Sequence, residues 1–224
     1  MLKKIKQINI NIIYEDNHLL VVEKPINIPV QEDSSKDKDL LTILKEYLKE
    51  EYNKPGNVYL GLVHRLDRPV SGIMVFAKTS KAASRLSNQI RENKFIKIYN
   101  AVVMNKIEEK GKLIDYLLKN TKTNIVSVNK NGKLCILNYK RLDYKDDMSL
   151  VEIKLETGRS HQIRVQMSHH GNPLYGDQKY NKNAKVGEQL ALFAKRLEFE
   201  HPTTKEHMVF ELDLPQVEPF NKFK

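Results

Sequence analysis

The sequence predicts an α+β domain with a central mixed or antiparallel β-sheet flanked by helices. Segments with strand character outnumber clear helices, and they do not alternate with helices as the βαβ units of a parallel sheet do. The dipeptide Asn131-Gly132 is typical of a hairpin turn, which joins antiparallel strands. Because 224 residues lie near the upper size of one domain, we expect a single domain over 1–224 with its core at roughly 10–215.

Strands are expected where apolar residues alternate or form short buried runs. In chain order these segments are 10–14, 19–22, 59–63, 73–77 and 95–104, with several more strands between 112 and 155. Helices are expected where apolar residues recur every three or four positions. These are a helix at 39–52, a helix capped by Thr79 or Ser80, and a short helix that Ser160 caps and Gly171 ends.

The composition favours a polyanionic partner. Lys and Arg total 38 against 28 Asp and Glu, a net charge of +10. Cations that neutralise phosphates release condensed counterions, although a lysine-rich solubilising surface gives the same balance. No stretch approaches the roughly 18 consecutive apolar residues of a membrane helix, so we expect no membrane partner. The single cysteine, Cys135, suits a cytoplasmic protein, and its apolar neighbours favour a small hydrophobe over a nucleophile.

The stretch His64–Gly72 is polar although it lies between two predicted buried strands. Asp67 stands between Arg65 and Arg68, and neighbouring positive charge favours the ionised form of a carboxylate. An ionised, positioned carboxylate can act as a nucleophile or as an acid or base. The alternative is an ordinary ion pair on a surface turn, since proline and glycine are also present.

Two further polar side chains interrupt apolar patterns. Arg164 borders a helix face formed by Ile163 and Met167, so it needs an anion. Asp67 or an RNA phosphate could supply it, unless the guanidinium extends to solvent. Tyr99 interrupts an otherwise aliphatic strand, where most tyrosines only fill the core.

Together these segments resemble the RluA family of pseudouridine synthases, and the resemblance covers most of the chain. It rests on five motifs whose order and spacing agree: Lys24-Pro25, His64-Arg65-Leu66-Asp67 with Ser71-Gly72, Lys97-Ile98-Tyr99, 158–164 with Gly176-Asp177, and 192–199 with His201-Pro202. Asn27 stands where the family usually has glycine, but asparagine tolerates the left-handed conformation. Val70 stands where threonine is common.

The resemblance implies a pseudouridine-synthase-like fold and the conversion of specific uridines in ribosomal or transfer RNA to pseudouridine. Asp67 would start the reaction, as a nucleophile on the ribose or as a base that removes a ribose proton. The uridine must be flipped out of its stack to reach a carboxylate. Tyr99 would stack on the flipped base, Arg164 would pair with Asp67, and Arg65 would fill the vacated place. The expected RNA-binding residues are Arg65, Arg68, Arg159 and His161.

No cofactor is expected, because the chain carries no GxGxxG, GxxxxGK[ST] or CxxC pattern. No metal is expected either, since His161, His169, His170 and Asp177 make a poor ligand set: adjacent histidines point in different directions on a helix. We expect a monomer. The resemblance implies that many relatives carry an N-terminal RNA-binding module of the S4 type, but only about ten residues precede the first strand here. We therefore expect RNA recognition through the basic surface of the catalytic domain or through a partner. The rival interpretation is a non-catalytic RNA-binding protein that uses the same basic groove. A kinase-like catalytic loop is rejected, because the accompanying kinase motifs are absent.

Overall fold

The computed structural model describes residues 3–5 and 10–223, with side chains described from residue 10 onwards. Within these residues the chain forms twelve strands, three α-helices and one 3-10 helix. In chain order they are β1 (Lys3–Ile5), β2 (Ile10–Glu15), β3 (Leu19–Lys24), α1 (Leu40–Glu51), β4 (Gly61–Leu62), β5 (Ser71–Ala77), α2 (Ser80–Arg91), β6 (Ile96–Met104), β7 (Lys110–Asn120), β8 (Ile125–Val128), β9 (Lys133–Lys145), β10 (Met148–Leu155), α3 (Gln162–His169), β11 (Leu192–Glu200), β12 (His207–Glu211) and the 3-10 helix Phe220–Lys222. The α+β class is confirmed.

The chain divides into two compact units. Unit 1 contains Met1–Ile96 and Arg196–Leu212, and unit 2 contains Lys97–Lys195 and Asp213–Lys224. Strand β11 is divided between them. The expectation of one domain over 1–224 stays a prediction.

Unit 1 contains a run of antiparallel strands in the order β1-β2-β3-β5, and β4 pairs with the same strand β5. Leu20 lies opposite Phe76 in this register, and both are fully buried. Apolar side chains of β3, β5, α2 and β11, together with Phe95 between α2 and β6, form the core beneath these strands. They are Leu19, Val21, Ile73, Val75, Ala77, Ala82, Leu86, Phe95, Leu197 and Phe199. The strand expected at 59–63 is shorter than predicted, because only Gly61–Leu62 pair.

Local capping signals fix both helices of unit 1. The Asp39 carboxylate accepts a hydrogen bond from the backbone N–H of Thr42 at 3.0 Å, which satisfies one of the donors left open at a helix start. Thr79 does the same for Ala82 at 3.1 Å, so threonine and not Ser80 is the cap of α2. The helix predicted at 39–52 is confirmed with its caps at Asp39 and Tyr52.

Unit 2 contains antiparallel strands in the order β6-β10-β9-β7-β8. The hairpins predicted in this region are confirmed, because β7 pairs with β8 and β9 pairs with β10. Asn131-Gly132 forms neither hairpin turn, since it joins β8 to β9, and each of these strands pairs with β7. Gly132 is needed there because a Cβ atom would lie 2.4 Å from the carbonyl carbon of Leu117. A tight hairpin instead joins β9 to β10 through Asp146 and Asp147, both with positive φ.

The described helices include none with the length and apolar character needed to cross a membrane. Cys135 lies in the core of unit 2, and burial raises the pKa of its thiol to about 11. Such a thiol is a small hydrophobe at neutral pH and a poor nucleophile, as its neighbours indicated.

Candidate active site

The segment from His64 to Val70 connects β4 to β5 as a polar loop fixed by two apolar anchors. Leu66 and Val70 are 8% and 2% exposed, whereas Asp67 between them is half-buried. The backbone N–H of Val70 donates to the backbone carbonyl of Asp67 at 3.0 Å, which closes a turn that begins at Asp67. Asp67 therefore sits on a loop whose backbone is held on both sides.

The buried side chain of Lys24 holds the same loop. It is fully buried, and its ammonium donates to the carbonyl oxygens of Pro25 at 2.9 Å, Arg68 at 2.9 Å and Val70 at 2.8 Å. Burial lowers the pKa of Lys24 to about 7, and the charge of the Asp67 carboxylate opposes this shift. An ammonium has three N–H donors and meets three acceptors here, so the protonated form fits the site.

The chain reverses direction after Lys24-Pro25 with the help of Asn27. This residue has φ of 62°, in the left-handed region that asparagine was expected to tolerate at this position. Its N–H donates to the carbonyl of Arg68 at 2.9 Å. The Lys24 segment and the Asp67 loop are thus joined through side chain and backbone alike.

His64 fixes the entrance to the loop. Its Nε2 accepts a hydrogen bond from the backbone N–H of Val75 at 3.1 Å, so this nitrogen carries no proton. The ring packs against Phe95 with ring centres 5.5 Å apart. These contacts make His64 a structural residue of the loop, which sequence reasoning had treated only as part of a motif.

The two arginines of the loop have different surroundings. Arg65 is exposed, and one of its guanidinium nitrogens donates to the neutral side chain of Gln31 at 3.2 Å. Arg68 pairs with Asp37 and lies 3.9 Å from a carboxylate oxygen of Asp33. The charge of Arg68 is therefore partly neutralised within the chain. RNA binding by both arginines stays a prediction.

Tyr99 lies in unit 2 on β6, opposite Ile153 of β10, and only 7% of it is exposed. Lys97 lies two residues earlier on the same face of the strand. Its ammonium is close to Gly158, where an added Cβ atom would lie 3.3 Å from Nζ, and burial lowers the pKa of Lys97. The strand thus places a tyrosine and a desolvated lysine side by side.

Arg164 lies on α3, is 6% exposed and finds its anion within unit 2. Its Nε and one terminal nitrogen donate to the two carboxylate oxygens of Asp177 at 2.8 and 2.7 Å. The guanidinium also lies 5.2 Å from the centre of the Tyr180 ring. The guanidinium does not extend to solvent, and sequence reasoning missed Asp177 as its partner. The pairing with Asp67 stays a prediction.

The start of α3 differs from the expectation that Ser160 caps it. His161 occupies the cap position with φ of 52° and makes no side-chain capping bond. Gln162 instead organises the turn, because its Oε1 accepts from the hydroxyl of Thr157 at 2.9 Å and from the N–H of Arg159 at 3.0 Å. The predicted end of the helix is confirmed, since Gly171 follows it with φ of 85°.

The predicted RNA-binding residues of unit 2 flank this turn. Arg159 is exposed, and its Nε donates to the carbonyl of Leu134 at 3.5 Å. His161 lies 2.6 Å from the hydroxyl of Tyr180, the residue that packs on the Arg164 guanidinium. Unit 2 therefore joins His161, Tyr180, Arg164 and Asp177 in one network.

The fold is shared with solved pseudouridine synthase domains. The structure of human RNA Pseudouridylate Synthase Domain Containing 4 matches with a TM-score of 0.76 and 23% identity, over 92% of this chain and 88% of that one. Human RNA Pseudouridylate Synthase Domain Containing 1 matches with a TM-score of 0.74 and 24% identity, over 93% and 85%. The molecule therefore has the fold of a pseudouridine synthase catalytic domain.

The sequence comparisons establish the family. Residues 18–169 match the family model of RNA pseudouridylate synthases. The chain belongs to this family and is accordingly an isomerase that acts on RNA. It is 33% identical to Ribosomal large subunit pseudouridine synthase D of Pseudomonas aeruginosa, over 94% of this chain and 70% of the relative. It is 34% identical to Ribosomal large subunit pseudouridine synthase C of Vibrio parahaemolyticus, over 99% and 70%.

Proposed function

We propose that this protein converts uridine to pseudouridine in the RNA of the large ribosomal subunit, with Asp67 as the catalytic carboxylate. The observation that carries the proposal is the loop of Asp67, which Lys24 fixes through the backbone carbonyls of Arg68 and Val70. The names of the relatives from Pseudomonas aeruginosa and Vibrio parahaemolyticus favour ribosomal over transfer RNA.

The reaction needs a carboxylate held in place on the ribose side of the target. In one route Asp67 attacks the ribose carbon that carries N1, and in the other it removes a neighbouring ribose proton. In both routes the bond from ribose to N1 breaks and the uracil rotates. C5 then bonds to the ribose carbon, which breaks the Asp67–ribose bond in the first route, whereas in the second the abstracted proton returns to the ribose. The C5 proton then leaves. A loop anchored at Lys24, Leu66 and Val70 limits the motion of the carboxylate, which is the positioning that such a reaction requires.

The target uridine must leave its stack before Asp67 can reach it, at a cost of a few kcal/mol. Arg65 is suited to occupy the vacated position, because it is exposed and its described partner is a neutral amide. We assign Tyr99 to stacking on the flipped uracil. Arg159 and His161 are assigned to RNA phosphates near the start of α3.

The catalytic assignment is tested with Asp67→Asn. We expect this variant to bind RNA within about twofold of the wild type and to release no tritium from 5-tritiated uridine in RNA. Asp213→Asn removes one exposed carboxylate and serves as the matched control, with wild-type release expected. Normal release by Asp67→Asn would refute the catalytic role. If the wild-type protein binds RNA but releases no tritium from any native RNA, the non-catalytic RNA-binding protein would be favoured instead.

The substrate is tested by mapping pseudouridines in total RNA from cells with and without the gene. We expect at least one site to disappear from the RNA of the large ribosomal subunit, and to return with the wild-type gene but not with Asp67→Asn. A site lost only from transfer RNA would refute the substrate assignment and leave the catalytic one intact.

We also propose that the protein acts in the cytoplasm as a monomer. The single cysteine, Cys135, is buried and forms no disulfide, which is compatible with a reducing compartment. Light scattering of the purified protein should give the monomer mass of 26.1 kDa. A mass of twice that value would refute the monomer.

A further inference from the structure

Unit 2 contains a cluster of two histidines and one aspartate that the proposed reaction does not use. Asp115 lies on β7 and is buried, whereas His169 and His170 lie at the end of α3 and are exposed. Each of the three residues offers one ligand atom, and these atoms all lie within 4.8 Å of one another. One nitrogen or oxygen of each side chain therefore lies close to those of the other two.

The two adjacent histidines lie at the C-terminal end of α3. His169 is the last residue of α3, and His170 is already outside the helix, followed by Gly171 with φ of 85°. The two rings lie 5.2 Å apart at 89° to each other. The expectation that these adjacent histidines diverge was wrong, because one ring nitrogen of each lies within 4.8 Å of the other and of an Asp115 oxygen.

A buried glutamine orients the Asp115 carboxylate of the cluster. Gln166 is fully buried, and its side-chain N–H donates to Oδ2 of Asp115 at 2.7 Å. Nε2 of His170 lies 3.1 Å from the same Oδ2 and 3.3 Å from Oδ1. In a tetrahedral site with bonds of about 2.0 Å, ligand atoms are roughly 3.3 Å apart, so this pair already has the required separation. A hydrogen-bonded outer partner such as Gln166 is typical of metal ligands.

We propose that Asp115, His169 and His170 bind one divalent transition-metal ion, represented by Zn²⁺. Each histidine supplies one imidazole nitrogen and Asp115 supplies one oxygen, and water completes the coordination. Mixed imidazole and carboxylate ligands suit zinc and its neighbours better than Mg²⁺ or Ca²⁺, which prefer oxygen alone. The ion replaces the proton between His170 and Asp115 and links the end of α3 to β7.

The experiment is a calorimetric titration of the chelator-treated protein with ZnCl₂, together with its melting temperature. We expect one Zn²⁺ per chain and a higher melting temperature with zinc. His169→Ala and His170→Ala should each weaken binding at least tenfold and remove the rise in melting temperature. His207→Ala is the matched control, because this histidine lies in unit 1 with a side chain 67% exposed, and it should bind like the wild type.

Two results would overturn the site: no zinc binding by the wild type, or binding by His169→Ala as tight as that of the wild type. The absorption spectrum with Co²⁺ gives an independent check of the ligands. Imidazole and carboxylate ligands produce no thiolate charge-transfer band, so such a band would place the ion at Cys135 and refute the proposal. RNA modification is not part of either measurement, so the outcome is independent of the proposed function.

Discussion

Replacing Lys24 by methionine tests whether its ammonium fixes the loop of Asp67. Methionine retains an unbranched apolar side chain and removes the charge and all three donors. The carbonyl oxygens of Pro25, Arg68 and Val70 then lose partners that now lie at 2.8 to 2.9 Å. We therefore expect the loop to loosen while the rest of unit 1 stays folded.

The expected loss of stability is modest because two large contributions oppose each other. Hydrogen bonds from a charged donor are worth about 1.5–3 kcal/mol each, or roughly 5–9 kcal/mol for three. Burial lowers the pKa of Lys24 from 10.5 to about 7. At 1.36 kcal/mol per unit this shift corresponds to roughly 5 kcal/mol against the buried charge at neutral pH. The difference leaves a loss of unfolding free energy of about 2 kcal/mol for Lys24→Met. The loss of activity should be larger, because a displacement of about 1 Å at Asp67 lowers kcat on the order of 100-fold.

The pH dependence gives a sharper signature. The pKa of Lys24 is about 7 in the folded protein and about 10.4 in an unfolded chain. Between these values the unfolded chain holds a proton that the folded protein does not, so stability rises with pH. Below about pH 7 both states hold the proton, and the full cost of burying the charge is present. The unfolding free energy of the wild type minus that of Lys24→Met should rise by roughly 1.4 kcal/mol per pH unit from pH 7 to 9.

The measurement is urea unfolding of both proteins at four pH values from 6 to 9, beside tritium release at one pH. Taking the difference removes the titration of all groups that the two proteins share. Lys38→Met is the matched control, since Lys38 forms an exposed pair with Glu46, and its effect should stay within about 0.5 kcal/mol. A constant difference across this range would refute the lowered pKa of Lys24, and unchanged tritium release by Lys24→Met would refute its anchoring role.

Two further predictions concern buried ion pairs. Glu15 and Lys78 pair at 2.8 Å with side chains 9% and 8% exposed, so Glu15→Gln should lower the unfolding free energy by about 2–4 kcal/mol, against less than about 0.5 for the exposed Glu46→Gln. Burial acts to raise the pKa of Glu15, but hydrogen bonds from Lys78 and two tyrosines lower it. The stabilisation by ionised Glu15 is therefore present above about pH 4 and is lost as the pH falls through the lowered pKa. In urea unfolding, the unfolding free energies of the wild type and Glu15→Gln should become equal in acid. A difference that persists in acid would contradict this. Arg164→Lys should cost about 3 kcal/mol in the same assay, because lysine cannot make the bidentate contact with Asp177, and a loss below about 1 kcal/mol would count against that pair as a stabilising contact.

Features that depend on residues close in sequence could be predicted from the sequence. Asp39 and Thr79 precede apolar helical patterns and cap the helices that follow, and both interactions span only three residues. Asn27 was expected in the left-handed region and has φ of 62°. The loop of Asp67 was predicted from polar residues between two buried strands, and those residues do form the connection into β5.

Partners that are distant in sequence could not be predicted in this way. Lys24 reaches carbonyl groups 44 and 46 residues away, and nothing in a Lys-Pro pair says which backbone it will meet. The turn at Asn131-Gly132 had the residues of a hairpin, but its glycine serves the close approach to β7. Both features depend on tertiary packing, which overrides the local preference of a short segment.

The contact between Arg164 and Asp177 changes how the role implied for Arg164 has to be understood. A guanidinium has five N–H donors, and the two carboxylate oxygens of Asp177 accept from two of its three nitrogens. Binding a second anion therefore does not require Arg164 to give up the first. Asp177 also accepts from the backbone N–H groups of Lys179 and Tyr180, at 3.1 and 3.3 Å, so the carboxylate itself is held by its own turn. A buried arginine fixed in plane and position by such a carboxylate is preorganised to meet an anion, whether that anion is Asp67 or an RNA phosphate.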